Sequence, residues 1–327
     1  MVATAACGAA AVGAARTEEK HCQLQSLGEI PAAMEHGSLI TQAEIDGKPV
    51  RLIVDTGAFG TLLFESEARK LGLALRQTNA TSYGVGGLAK IYTARVKEFR
   101  LGALSEQNHD LVVSGEALGA QGVLGARFLL QADLEFDLRH GKIRFFKTHG
   151  CVGDEVVYWG EAYSAAPLIP TSDYRILVNV RVNGAPAIAQ MDTGASASVL
   201  TPGAAAAAGV TPTSEGTVPE GPTHGMGPTP VKSYVGQFSS FSFGDETIKN
   251  VNLRIADLFG EAKVRQTGDL IATPVANEPQ MLLGADFVRS HRVFLALEQH
   301  RVYASYQGGP VFYPVHRPAP KAATPPN

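Results

Sequence analysis

Residues 40–73 read ITQAEIDGKPVRLIVDTGAFGTLLFESEARKLGL and residues 177–210 read LVNVRVNGAPAIAQMDTGASASVLTPGAAAAAGV. The two stretches align without a gap at an offset of 137 residues, so the chain carries an internal duplication. Each copy predicts an alternating strand, a two-residue turn (Asp46-Gly47 or Asn183-Gly184), a second strand, a D-T-G-A tetrapeptide and a short helix closed by Gly72 or Gly209. Asp-Gly and Asn-Gly suit a type I′ hairpin, in which both central residues need positive φ. Such a hairpin holds the end of its second strand, and the Asp that follows it, at a set place on the sheet.

The correspondence continues past these stretches. SYGVGG at 82–87 answers THGMGP at 223–228, Phe99-Arg100-Leu101-Gly102 answers Phe241-Ser242-Phe243-Gly244, and GVLGARFL at 122–129 answers LLGADFV at 282–288. A further strand pair follows each. Two lobes result, joined between about Gly150 and Pro170, where Pro and Gly interrupt the strand pattern. We therefore expect a targeting segment at 1–22, an N-terminal lobe at 23–155, a C-terminal lobe at 156–317 and a disordered tail at 318–327. Residues 16–38 read either as a propeptide over the cleft or as an N-terminal strand.

Composition agrees with two β-rich lobes. The 327 residues are 45% apolar and 18% charged, and 35 Gly with 19 Pro favour short strands and tight turns over long helices. A net charge of -3 offers no electrostatic case for nucleic acid or anionic membrane as main partner. Cys7, Cys22 and Cys151 lack any C-x-x-C spacing, and the nine His are scattered without H-E-x-x-H, so neither a metal nor a cofactor is implied. His140, His149, His291 and His300 stand singly in strand or turn surroundings.

The first fifteen residues, MVATAACGAAAVGAA, are small and apolar and too short to span a bilayer. They read as a signal peptide cleaved after Ala15, and the expected location is periplasmic or extracellular. A lipoprotein variant has Thr4-Ala5-Ala6-Cys7 as lipobox and Cys7 as lipid anchor. Export leaves Cys22 and Cys151 either as a bonded pair or as two buried thiols.

One D-T-G is weak, since average usage predicts about 0.1 chance occurrences in such a chain. Two in register, each after apolar strand residues and each answered by an apolar-apolar-Gly segment, are specific. The sequence resembles the aspartic proteases of the retropepsin and pepsin kind over about Ile40 to Tyr306. The resemblance implies an all-β fold of two retropepsin-like barrel lobes about a pseudo-twofold axis and a central cleft. It implies an aspartic endopeptidase with Asp55 and Asp192 as catalytic dyad, a polypeptide substrate, and a monomer, because both halves of the dyad lie in one chain. A catalytically silent, protease-like envelope protein that binds peptides or a protein partner in the cleft is the alternative, and dyads formed between chains are a third arrangement.

The same resemblance assigns supporting roles. Thr56 and Thr193 would bond across the lobe interface, while Gly57 and Gly194 would permit the tight loop. Gly125 and Gly284 would let the apolar-apolar-Gly strands cross the D-T-G strands closely. Ala58 and Ala195 follow the retropepsin pattern. Without a hydroxyl there to stabilise the ionised acid, activity is expected between about pH 4 and 6. Tyr83, Gly84, Val85 and Gly86 resemble the flap that closes over substrate in pepsin-like enzymes. His224, Gly225, Met226 and Gly227 stand at the corresponding place but lack the Tyr. Phe59, Leu62 and Val199 fit core packing better than pocket walls.

Overall fold

Positive φ at Asp46 (51°), Gly47 (75°), Asn183 (51°) and Gly184 (80°) closes both predicted hairpins. They join Ser38–Ile45 to Lys48–Asp55 in one lobe and Leu177–Val182 to Ala185–Met191 in the other, all antiparallel. The turn side chains also dock outward. Asp46 Oδ1 accepts the backbone N–H groups of Lys97 and Glu98 at 2.7 and 2.9 Å, and Asn183 Oδ1 accepts that of Ser240 at 3.1 Å. These long-range bonds from side chain to backbone hold each hairpin against the long strand Gly87–Leu101 or Val231–Phe243.

The computed structural model describes residues 22–84, 87–116, 119–151, 153, 155–223, 230–258 and 278–312. Cys7 and the signal segment, the tail at 318–327, Val85 and Gly86, and His224, Gly225, Met226 and Gly227 lie outside the described residues. The described chain is nearly all β, with four short helices and one 3₁₀ turn.

In each lobe three strands meet beneath the D-T-G loop. Lys48–Asp55 runs parallel to Gly122–Gly125, which pairs on its other edge with Leu62–Leu63. Ala185–Met191 runs parallel to Met281–Leu283, which pairs with Val199–Leu200. Both central strands are buried throughout, as expected of short parallel strands with neighbours on both edges and apolar matter on both faces. The helices Glu65–Lys70 and Pro202–Ala207 follow, and Gly72 and Gly209 end them with φ of 78° and 82°.

A six-stranded layer joins the lobes in the order Gln23–Pro31, Lys142–His149, Asp133–Asp137, His291–Ala296, Arg301–Tyr306, Ser164–Ile169. Its central pair, with Leu134 opposite Leu295 and Phe136 opposite Val293, brings one strand from each lobe together. Glu135 and Asp137 are fully buried here and are met by Arg144 and Arg292, with Arg292 also stacked 4.4 Å from the Trp159 ring. Charges so deeply buried persist only when paired and hydrogen-bonded. The end of the join is itself a strand. Ser164–Ile169 pairs with Arg301–Tyr306 through its first part and with Leu177–Val182 through its end, carrying the chain from the shared layer into the second lobe.

Of the two readings of residues 16–38, the strand is what the described part forms: Gln23–Pro31 is an edge of the shared layer, paired with Lys142–His149. Cys22 and Cys151 form a disulfide that ties the start of this strand to the end of its partner, closing a loop of 129 residues. In the chain-entropy picture a loop of that size stabilises by about 2–5 kcal/mol. Reduction, or Cys22→Ser with Cys151→Ser, should lower unfolding stability by that amount in urea titrations. An unchanged midpoint would contradict it.

Candidate active site

Asp55 ends the strand Lys48–Asp55 and Asp192 follows the equivalent strand Ala185–Met191, and they face each other across the lobe boundary with their carboxyls hydrogen-bonded to one another. Asp55 Oδ1 accepts the N–H groups of Gly57 and Ala58 at 2.8 and 2.9 Å. Asp192 Oδ1 accepts those of Gly194 and Ala195 at 3.0 and 3.2 Å. The glycines serve the opposite lobe. A Cβ on Gly57 would fall on the Asp192 carboxyl, and one on Gly194 would fall on that of Asp55.

Beneath the acids, Thr56 and Thr193 form a reciprocal network. The Thr56 hydroxyl donates to the Met191 carbonyl at 2.8 Å and accepts the Thr193 N–H at 3.1 Å. The Thr193 hydroxyl donates to the Val54 carbonyl at 2.6 Å and accepts the Thr56 N–H at 3.1 Å. Both threonines are fully buried. Four bonds thereby cross the lobe boundary without leaving a hydroxyl unpaired, which is what makes a buried polar pair tolerable.

Burial raises both carboxyls above the ordinary carboxylate range. For Asp192 the negative charge of Asp55 adds to it, holding the acid well above 3.8. For Asp55 the opposing influence is hydrogen bonding, from Asp192 and from the backbone of Ala58, Gly57 and Gly194. The pair retains one proton more readily than two ordinary carboxyls would, and that proton belongs to both.

Gly125 and Gly284 stand at the strand crossings. A side chain on Gly125 would overlap the backbone of Gly60, and one on Gly284 the carbonyls of Ala195 and Ala197. Thr61 and Ser198 were not singled out by sequence reasoning, yet their hydroxyls accept the N–H groups of Gly125 and Gly284 at 3.3 and 2.9 Å. Their register in the repeat is the signal that could have found them. Asp286 was also missed because its counterpart is Arg127, so symmetry does not mark it. It is buried and accepts the Ser198 N–H and O–H at 2.8 and 2.6 Å.

Tyr83 and Gly84 end the strand Leu75–Gly84, and Gly84 pairs with Gly87 at the start of the strand Gly87–Leu101. Leu62 and Val199 are core residues, but Phe59 is 58% exposed and contacts Tyr174 instead. It is not the packing residue expected. Its backbone is held at the crossing, where its carbonyl accepts the Arg127 N–H at 2.9 Å, while its ring stands at the surface. Among the described residues no group of three or more His, Cys, Asp or Glu is placed to hold a metal ion.

An aspartyl protease family model matches residues 41–128 and 178–287, which include both D-T-G loops and make up more than half of the chain. The chain belongs to the aspartyl protease family. It is 31% identical over 98 residues to an uncharacterized protein of the cobV 5′ region from Sinorhizobium sp., a match covering 29% of this chain and 42% of that protein. The chain thus spans less than half the length of that relative. The fold resembles the crystal structure of the aspartic proteinase from Irpex lacteus, with a TM-score of 0.53 and 14% identity over 85% of this chain and 97% of that one.

Thr56→Ala and Thr193→Ala each strand buried backbone groups and should cost about 1–3 kcal/mol. Because the four bonds form one network, the double variant should cost less than the sum of the singles in denaturant titrations. Burial also raises the Asp286 carboxyl from 3.8 to about 6, so the fold holds that proton more tightly than the unfolded chain does. Stability from this group is complete below its ordinary pKa and is lost as pH rises through about 6. Wild type should therefore lose Tm relative to Asp286→Asn as pH rises from 4 to 7.

Proposed function

We propose that the protein is an aspartic endopeptidase that hydrolyses extended polypeptides through a water held between Asp55 and Asp192. The observation that carries this reading is the hydrogen-bonded carboxyl pair seated in two equivalent nests of backbone N–H groups. Uncatalysed peptide hydrolysis is slow because water is a poor nucleophile and the amide a poor leaving group. A singly protonated pair answers both difficulties. The ionised carboxyl takes a proton from water as its oxygen attacks the carbonyl carbon, and the protonated carboxyl gives its proton to the carbonyl oxygen. In the second step the C–N bond breaks, one hydroxyl of the gem-diol returns a proton to the pair, and the amine leaves protonated by the other carboxyl. The pair ends with the single proton it began with.

The strands Leu75–Gly84 and Gly87–Leu101 of the first lobe are suited to bind substrate backbone as an added strand, an arrangement that favours extended chains. Both acids come from one chain, so a monomer suffices. The Cys22–Cys151 bond supports an oxidising location, periplasmic or extracellular, with Cys7 as lipid anchor if the lipoprotein variant operates.

Asp55→Asn and Asp192→Asn should each lower cleavage of an unfolded polypeptide by at least about 10²–10⁴-fold, the usual scale of general acid–base catalysis. Retained cleavage in either would overturn the shared dyad. Binding of a statine-type mimic without any cleavage by wild type would mark the cleft as a peptide-holding site instead. The pH profile of kcat/KM should peak between about pH 4 and 6 and fall above it as the shared proton leaves. A maximum below pH 3 would count against the role given to Ala58 and Ala195.

A further inference from the structure

Two exposed aromatic residues meet across the lobe boundary: Phe59 and Tyr174, with ring centroids 5.6 Å apart, edge to face. Phe59 directly follows the first D-T-G-A. Tyr174 precedes Ile176, whose carbonyl accepts the Met191 N–H beside Asp192. Neither residue serves the core, and Tyr174 holds φ at 62°, a left-handed conformation unfavourable for a bulky side chain. An aromatic that is strained and wet, next to a reactive loop, points to contact with a ligand.

The repeat supplies a comparison within the same molecule. At the 137-residue offset Phe59 corresponds to Ser196 and Tyr174 to Gly37. Ser196 and Gly37 also come together with the lobes exchanged, but there they line an open pocket of about 700 Å³. The neighbouring strands diverge in the same sense. Leu62 pairs with Val112 in the first lobe, and its counterpart Val199 pairs with Arg254 in the second. Arg254 lines the pocket together with Glu220, its ion-pair partner at 2.9 Å, whereas Val112 packs on the apolar cluster around Leu62. One place presents an exposed aromatic pair, the other a roomy and polar pocket.

We infer that Phe59, Tyr174 and Arg254 are specificity-determining residues that make the cleft read a polypeptide in one direction. An apolar side chain on one side of the scissile bond packs on the Phe59–Tyr174 pair. A long polar side chain on the other side enters the pocket beside Arg254 and Glu220. An aromatic wall favours apolar groups through burial alone. An apolar group in the pocket would instead strip water from Arg254 and Glu220 and return no hydrogen bond. The inference rests on the cleft being the peptide site proposed above.

The test gives each position its repeat counterpart. A peptide library is digested with wild type, with Phe59→Ser plus Tyr174→Gly, and with Arg254→Val, and the cut sites are profiled by mass spectrometry. Representative peptides are also titrated calorimetrically into the Asp192→Asn protein and into that protein carrying the same changes. Wild type should prefer apolar residues on one side of the cut and long polar residues on the other. The aromatic double variant should lower the first preference about tenfold and leave the second, and Arg254→Val should do the reverse. Profiles alike on both sides, or variants that change total rate with the profile intact, overturn the inference. If wild type cuts nothing while the titrations still show opposite preferences at the two ends, directional reading stands and the endopeptidase reading fails. If the titrations show no end preference either, both fail.

Discussion

Two negative charges facing each other inside a protein repel and resist leaving water, and the rest of this structure follows from holding them together. The N–H groups after each acid neutralise part of its charge, and one shared proton removes the direct repulsion. Space is the second requirement. The carboxyls approach only because the third residue of each D-T-G is glycine, and each glycine makes room for the acid of the other lobe. Each half is thus shaped for its partner, and neither half alone holds a complete site.

That reciprocity places demands further down. The loops keep register because Thr56 and Thr193 exchange four buried bonds, and the loops themselves rest on glycine crossings pinned by Thr61 and Ser198. Below these, the shared six-stranded layer resists sliding of one lobe past the other, because a slip of one residue between Asp133–Asp137 and His291–Ala296 would separate the buried Glu135 from Arg292 and break the ion pair that joins the lobes. Symmetry is strict around the acids and relaxes outward. At Phe59 and Ser196, or Val112 and Arg254, the two halves no longer match each other.

Much of the site was legible because its elements obey local rules repeated in one register. Asp-Gly and Asn-Gly turns, D-T-G loops and apolar-apolar-Gly strands each show their chemistry within a few residues, and the second copy distinguishes them from chance. Residues whose role depends on the partner lobe were harder to read. Asp286 has no acidic counterpart, Phe59 looked like one more apolar residue after a turn, and the buried Glu135 and Asp137 look in sequence like ordinary alternating polar positions of an exposed strand.

The sequence by itself determined the duplication, the pair of acids and the strand-and-turn order of each lobe, because periodicity, turn chemistry and steric demand for glycine act over short stretches of chain. Only the tertiary structure decided which strands form the layer between the lobes, that Cys22 bonds Cys151, and that Phe59 meets Tyr174 where their repeat counterparts Ser196 and Gly37 line an open pocket. Those outcomes depend on contacts between residues more than a hundred positions apart, where burial and charge pairing select among arrangements that local preference leaves equal.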